Sequence, residues 1–120
     1  MALLRRRSRG KQSKAEIHPD RLTLRHLEAG GANLSRARHV IHVLYFGEEA
    51  DAQAAATSIE RAGWEVTLAA PTAKRKRWRI RAEGMRVVDR TTVAAFRSWF
   101  ERVAADGNGT YDGWEAAAKP

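Results

Sequence analysis

The sequence predicts an α+β fold, a ferredoxin-like two-layer sandwich of βαββαβ order with one extra helix at the N-terminus. Three observations carry this expectation. Residues 39–46 (HVIHVLYF) form an apolar, β-branched and aromatic run closed by Gly47, as expected of a central strand with both faces covered. Trp64-Glu65-Val66-Thr67-Leu68 and the run from Arg77 to Ala82 alternate apolar with polar residues, a period of two. Two stretches with helical periodicity, 48–62 and about 92–105, fall between the strands.

A chain of 120 residues is one domain's worth. At this size about two-thirds of the unfolded surface is buried on folding, enough for a core without staples. There are no cysteines, which excludes disulfides, thiolate metal sites and thiol nucleophiles. No apolar run approaches the roughly 20 residues of a membrane helix, and no apolar stretch follows the N-terminal arginines as a secretory signal requires. The expectation is a cytoplasmic protein without membrane contact.

Residues 1–16 are rich in Arg, Lys, Ser and Gly and read as a disordered basic arm ahead of a single domain at 17–117, with 118–120 as a tail. Pro19 and Asp20 open a short helix at about 19–29, carrying Leu22, Leu24 and Leu27 and stopped by Gly30-Gly31. The strand at 39–46 places Val40, His42, Leu44 and Phe46 on one face, taken as the covered one, and Ile41, Val43 and Tyr45 on the other. Glu48, Glu49 and Asp51 begin the next helix, where acids suit the dipole, and Ala52, Ala55, Ala56, Ile59 and Ala62 share its stripe. Lys74-Arg75-Lys76 reads as a hairpin loop, and Trp78, Ile80 and Ala82 point inward from the next strand. Glu83-Gly84 is expected to bend or bulge that strand. Thr91 or Thr92 is expected to cap the last helix, whose face is Val93, Phe96, Phe100 and Val103.

The chain closes on Gly109-Thr110-Tyr111-Asp112-Gly113-Trp114-Glu115, read as a short strand and a tight turn in which Gly113 supplies a positive φ. Tyr111 and Trp114 then pack at opposite ends of the turn, or, with Asp112, form a docking knob for a partner. Gly109, Gly113 and His42 are read as structural, His42 as a hydrogen-bonded core histidine. His39 and His42 lie on opposite faces of one strand and do not share an ion, so no metal is expected. No phosphate loop, zinc pattern or nucleophile elbow is present, and the expectation is a protein that is not an enzyme and needs no cofactor.

Charge gives the remaining signal. The formal net charge is +8, and residues 74–90 alone hold eight basic and two acidic side chains, whereas 39–73 hold one and five. Lys74, Arg75, Lys76, Arg77, Arg79 and Arg81 are candidates for contacting phosphates, with Tyr45 as the one aromatic placed to stack a base. A solvated cationic strand explains the same residues.

Three segments together resemble the ribonuclease E inhibitor (RraB-like) family. They are Arg38 to Phe46, the Ala-rich helix running into Ala62-Gly63-Trp64-Glu65-Val66, and Gly109 to Glu115. The resemblance covers about residues 20–117, and Tyr-Asp-Gly-Trp is its most specific part. It implies a small ferredoxin-like domain that binds a ribonuclease E-type endonuclease and inhibits or redirects it without catalysis. Tyr45, Arg77, Arg79, Arg81, Tyr111, Asp112 and Trp114 are the expected partner-binding residues. The alternative is a small basic module that contacts RNA phosphates nonspecifically. Oligomeric state is not legible in the sequence.

Overall fold

The structure, a computed structural model, describes residues 3–6, 19–29 and 35–117. Its elements run β1 (Leu3–Arg6), α1 (Pro19–Ala29), β2 (Ala37–Phe46), α2 (Glu49–Arg61), β3 (Glu65–Ala69), β4 (Trp78–Val87), α3 (Arg90–Asp106) and β5 (Thr110–Ala117). The strands form one five-stranded antiparallel sheet in the order β1-β5-β2-β4-β3. Helices α2 and α3 pack against the sheet and touch each other, and α1 lies on α3 and β1. The architecture is α+β and compatible with a two-layer sandwich.

β2 is central because its apolar residues need cover on both sides. It pairs with β4 from Ala37↔Val87 to Phe46↔Trp78, and with β5 from Val40↔Ala116 to Tyr45↔Thr110. Directly paired residues share a face. Val40, His42, Leu44 and Phe46 therefore lie with Ile80, Ala82, Tyr111 and Trp114 under the helices, in one core. Ala52, Ala55, Ala56 and Ile59 of α2 and Val93, Phe100 and Ala104 of α3 complete it. The small alanines let α2 lie close to the sheet, and Ala62, the last of the expected stripe, is exposed at the helix end.

Three local expectations are corrected. The cap of α3 is Asp89, not Thr91 or Thr92. Its carboxylate accepts from Thr92 N at 2.9 Å, and Thr92 Oγ1 accepts from Asp89 N at 2.9 Å, a reciprocal capping box. Glu83-Gly84 does not interrupt β4, whose pairing with β2 runs unbroken through Gly84↔Val40. The glycine serves side-chain packing instead. A Cβ there would stand 2.8 Å from the Arg86 guanidinium and 3.2 Å from the Trp64 ring. Leu3–Arg6, placed by composition in a disordered arm, is paired as β1 with β5. Composition does not encode this pairing, because the partner strand supplies the order. The rest of that arm, the tail at 118–120 and the stop at Gly30-Gly31 lie outside the described residues.

β5 differs most from its reading. Leu44 pairs with Tyr111 and His42 with Trp114, so two steps along β2 meet three along β5. The extra residue is a β-bulge, and Gly113, at φ 97°, carries the left-handed backbone it needs. The strand does not turn. The bulge brings Tyr111 and Trp114 onto the same covered face, although residues three apart on a regular strand point to opposite faces.

Before β5 the chain leaves α3 through Asn108, at φ 54°, and Gly109 N donates to Ala104 O at 2.7 Å. A Cβ on Gly109 would meet Tyr45 O at 2.5 Å and the Phe46 ring at 2.6 Å. Backbone cannot yield as a side chain does. Gly109→Ala is therefore expected to cost roughly 1–3 kcal/mol, the range for overpacking. Gly47→Ala, with nothing within 4 Å of its Cβ, serves as the control. Urea midpoints of the two variants check this, and equal midpoints would contradict it.

Candidate functional site

Two polar constellations stand out, one inside the domain and one on the open sheet face. The inner one begins with His42, which is buried beside Tyr111, its Nδ1 hydrogen-bonded to the hydroxyl at 2.7 Å. Phe100 stacks on the imidazole with centroids 4.1 Å apart, and Trp64 and Phe96 meet it edge-on. Burial, reinforced by the positive charges of Arg97 and Arg86, lowers the His42 pKa to about 3. The imidazole is neutral at physiological pH. Burial likewise pushes the Tyr111 phenol well above its ordinary value.

Beside this pair lies a clasp between α1, α3 and β5. The carboxylate of Asp20, 4 % exposed, accepts from Arg97 Nε at 2.5 Å, Arg97 Nη2 at 2.7 Å and Trp114 Nε1 at 2.8 Å. Arg97 also donates to Glu101 at 3.0 Å and lies over the Tyr111 ring at 5.4 Å. Burial opposes the guanidinium charge, but Asp20 and then Glu101 outweigh it and raise the Arg97 pKa. A cleft of about 450 Å³ beside the clasp is lined by Leu24, Val93, Arg97 and Glu101. Its central charges are engaged with one another.

Read from the sequence, Asp20 has only a helix-start role and Arg97 has none. A signal was present. Arg97 stands four residues after Val93 and three before Phe100, so it interrupts an apolar stripe. A cation there calls for a buried acid.

The other constellation is the face of the sheet away from the helices. Ile41, Val43 and Tyr45 lie there with Arg79, Arg81 and Glu83 opposite them on β4 and Glu115 on β5. Ile41 and Val43 are only 2 % and 6 % exposed. They line a narrow cleft of about 90 Å³ whose other walls are Tyr45, Arg79, Arg81 and Glu115. The surface presented is thus mainly charged.

The cations of this region are not equivalent. Arg75 ties its own loop together, donating to Arg77 O at 2.7 Å and Ala70 O at 3.2 Å. Arg77 donates to Tyr45 O and Thr110 Oγ1 and stands 5.7 Å over the Tyr45 ring. Arg86 reaches Gly63 O and covers Trp64 at 4.2 Å. Arg81 pairs with Glu83 at 2.9 Å, and the same carboxylate lies 3.6 Å from His39. Arg79 differs, since its Nε is buried without a hydrogen-bond partner. Lys74 and Lys76 are exposed.

The structure therefore divides the sequence-derived candidates. Tyr45, Arg77, Arg79 and Arg81 gather on or beside one face, next to Lys74, Arg75 and Lys76. Tyr111 and Trp114, 3 % and 2 % exposed, belong to the opposite, covered face. They do not form a surface knob, because the bulge turns both rings into the core. Asp112 is half-buried at the bulge itself. Among the described residues no three His, Asp or Glu side chains converge to hold a metal ion, and no helix is long and apolar enough to cross a membrane.

Geometry defines a small α+β domain with one sheet face closed by helices and the other displaying ordered charge. The chain matches the family model of RraB, regulator of ribonuclease activity B, over residues 18–116. It belongs to that family, and membership implies a part in regulating ribonuclease activity. No curated protein matches the chain.

Proposed function

We propose that this protein is a cytoplasmic, non-enzymatic regulator that binds a ribonuclease E-type endonuclease by protein–protein contact and inhibits or modulates it. The observation that carries the reading is the family match across residues 18–116, which spans α1 to β5. The strand order β5-β2-β4-β3 within the sheet, with helices in both crossovers, supports a ferredoxin-like classification. In this reading the open sheet face, with Tyr45, Arg77, Arg79 and Arg81, meets the endonuclease. Tyr111 and Trp114 act indirectly, by holding β5 against β2 beneath that face, and Asp112 by shaping the bulge.

The test is RNA cleavage by a purified ribonuclease E-type endonuclease with and without stoichiometric protein. Slower or redirected cleavage, together with a complex in pull-down, is the expected result. Unchanged cleavage and no complex would remove the reading. Exposed Lys74 and Lys76 beside Arg79 support a second reading, a basic module that contacts RNA phosphates.

A further inference from the structure

We infer that the outer edge of β3 is a docking site for a second copy of this chain, which adds its own β3 antiparallel about a two-fold axis at Thr67. The two sheets then run on as one. The inference does not rest on the endonuclease reading.

The edge itself is the first observation. β3 (Glu65–Ala69) stands last in the sheet and pairs on one side, with β4; no further strand lies beyond it among the described residues. Every second residue of such a strand turns its N–H and C=O outward, a template for another strand. Edges are commonly protected by lysine, proline or a bulge. β3 holds no Lys, Arg or Pro, and its register with β4 runs unbroken from Glu65↔Glu83 to Ala69↔Arg79. Glu65 and Thr67 are exposed, and Val66 and Leu68 lie half-buried at the margin of the core.

Self-complementarity selects the occupant. Antiparallel pairing centred on Thr67 uses all five residues of the strand. It sets Glu65 opposite Ala69 of the second copy, Val66 opposite Leu68, and Thr67 opposite Thr67. Opposed residues share a face, so Val66 and Leu68 of each copy cover those of the other on the helix side. No like charges are opposed.

Charge fixes the direction. Glu65, at one end of the edge, has no ion pair or hydrogen bond among the described residues, and the residue across from it on β4 is another acid, Glu83. At the other end Arg79 stands opposite Ala69, and the loop with exposed Lys74 and Lys76 follows. Arg79 likewise has no ion pair among the described residues, and its Nη atoms, unlike the buried Nε, reach the surface. The two-fold axis brings the acidic end of each copy to the cationic end of the other. Glu65 then lies beyond Ala69 of the second copy, two strand spacings or about 9.6 Å from Arg79. Alanine leaves that path open to two long side chains. Parallel addition in register would instead set Glu65 against Glu65. Five residues a side make a small interface, so a reversible dimer is expected, with a dissociation constant on the order of 10 µM.

Sedimentation velocity of the full-length protein, from about 1 to about 500 µM, tests this. Wild type should pass from monomer to dimer across that range. Thr67→Lys sets two lysines face to face on the axis and should raise the dissociation constant at least about tenfold. Thr91→Lys adds the same charge at an exposed position of α3 and should leave it within about twofold. Glu65→Arg and Arg79→Glu should each weaken association by at least about threefold. Glu65→Arg/Arg79→Glu exchanges the two signs and should recover most of that loss. A protein that stays monomeric throughout, a dimer untouched by Thr67→Lys, or a double variant no better than the single ones would each overturn the inference. Should Thr67→Lys fail to fold, amide hydrogen exchange of the wild type replaces it. Exchange within Glu65–Ala69 should be slower in the concentrated than in the dilute protein, and equal rates reject the site.

Discussion

Asp20→Ala is expected to destabilise the fold by roughly 3–5 kcal/mol, the usual consequence of removing one partner from a buried ion pair. The geometry explains so large an effect. One carboxylate serves three donors from two elements, Arg97 on α3 and Trp114 on β5. With it gone, the Arg97 charge keeps Glu101 as an acidic neighbour, and the indole Nε1 loses its acceptor. Domains are stable by only about 5–15 kcal/mol, so the loss is a large share of the total. Asp20→Asn retains an acceptor for Trp114 without the charge and should fall between wild type and Ala. Arg97→Met addresses the opposite partner, leaving the Asp20 charge buried. In the double variant Asp20→Asn/Arg97→Met the neutral pair should recover part of the loss, giving a coupling in a double-mutant cycle. Urea unfolding of wild type and the four variants measures this. A loss under about 1 kcal/mol for Asp20→Ala, in the range of exposed pairs, would show that the clasp contributes little.

What was legible in the sequence follows from where its information sits. β2, α2 and α3 are visible because each carries its own periodicity, and burial acts on that pattern directly. The clasp joins residues separated by 77 and 94 positions, and no local pattern encodes such a meeting. Only Arg97's intrusion into an apolar stripe hinted at it. At Asp112-Gly113 the residues specify a backbone that permits positive φ, and that reading is local. Whether the chain then reverses or bulges depends on β2, which continues alongside and holds β5 in register. The candidate surface shows the same division. Six cations at 74–81 are plain in the sequence, yet their availability depends on which carbonyls lie within reach. Arg75 and Arg77 find some, and Arg79 Nε does not.

Acid should weaken the fold through His42. Its pKa is lowered from 6.5 to about 3 in the folded protein, by burial first and then by Arg97 and Arg86. Between these values the unfolded chain binds a proton that the folded core refuses. Stability therefore falls as pH falls, beginning near the unfolded value of 6.5 and ending near 3, by up to about 1.4 kcal/mol per pH unit. The cause is structural. Phe100 stacks on the ring, Trp64 and Phe96 flank it, and no acid is paired with it among the contacts that surround it. Protonation would also take Nδ1 away as an acceptor for the Tyr111 hydroxyl. His42→Phe alone would strand that hydroxyl in the core, at a cost of about 1–3 kcal/mol. His42→Phe/Tyr111→Phe removes both polar groups together and is the cleaner comparison. Urea midpoints at pH 7 and pH 4.5 should differ less in the double variant than in wild type. An unchanged pH dependence would mean that carboxylates elsewhere govern acid unfolding and that the buried imidazole does not.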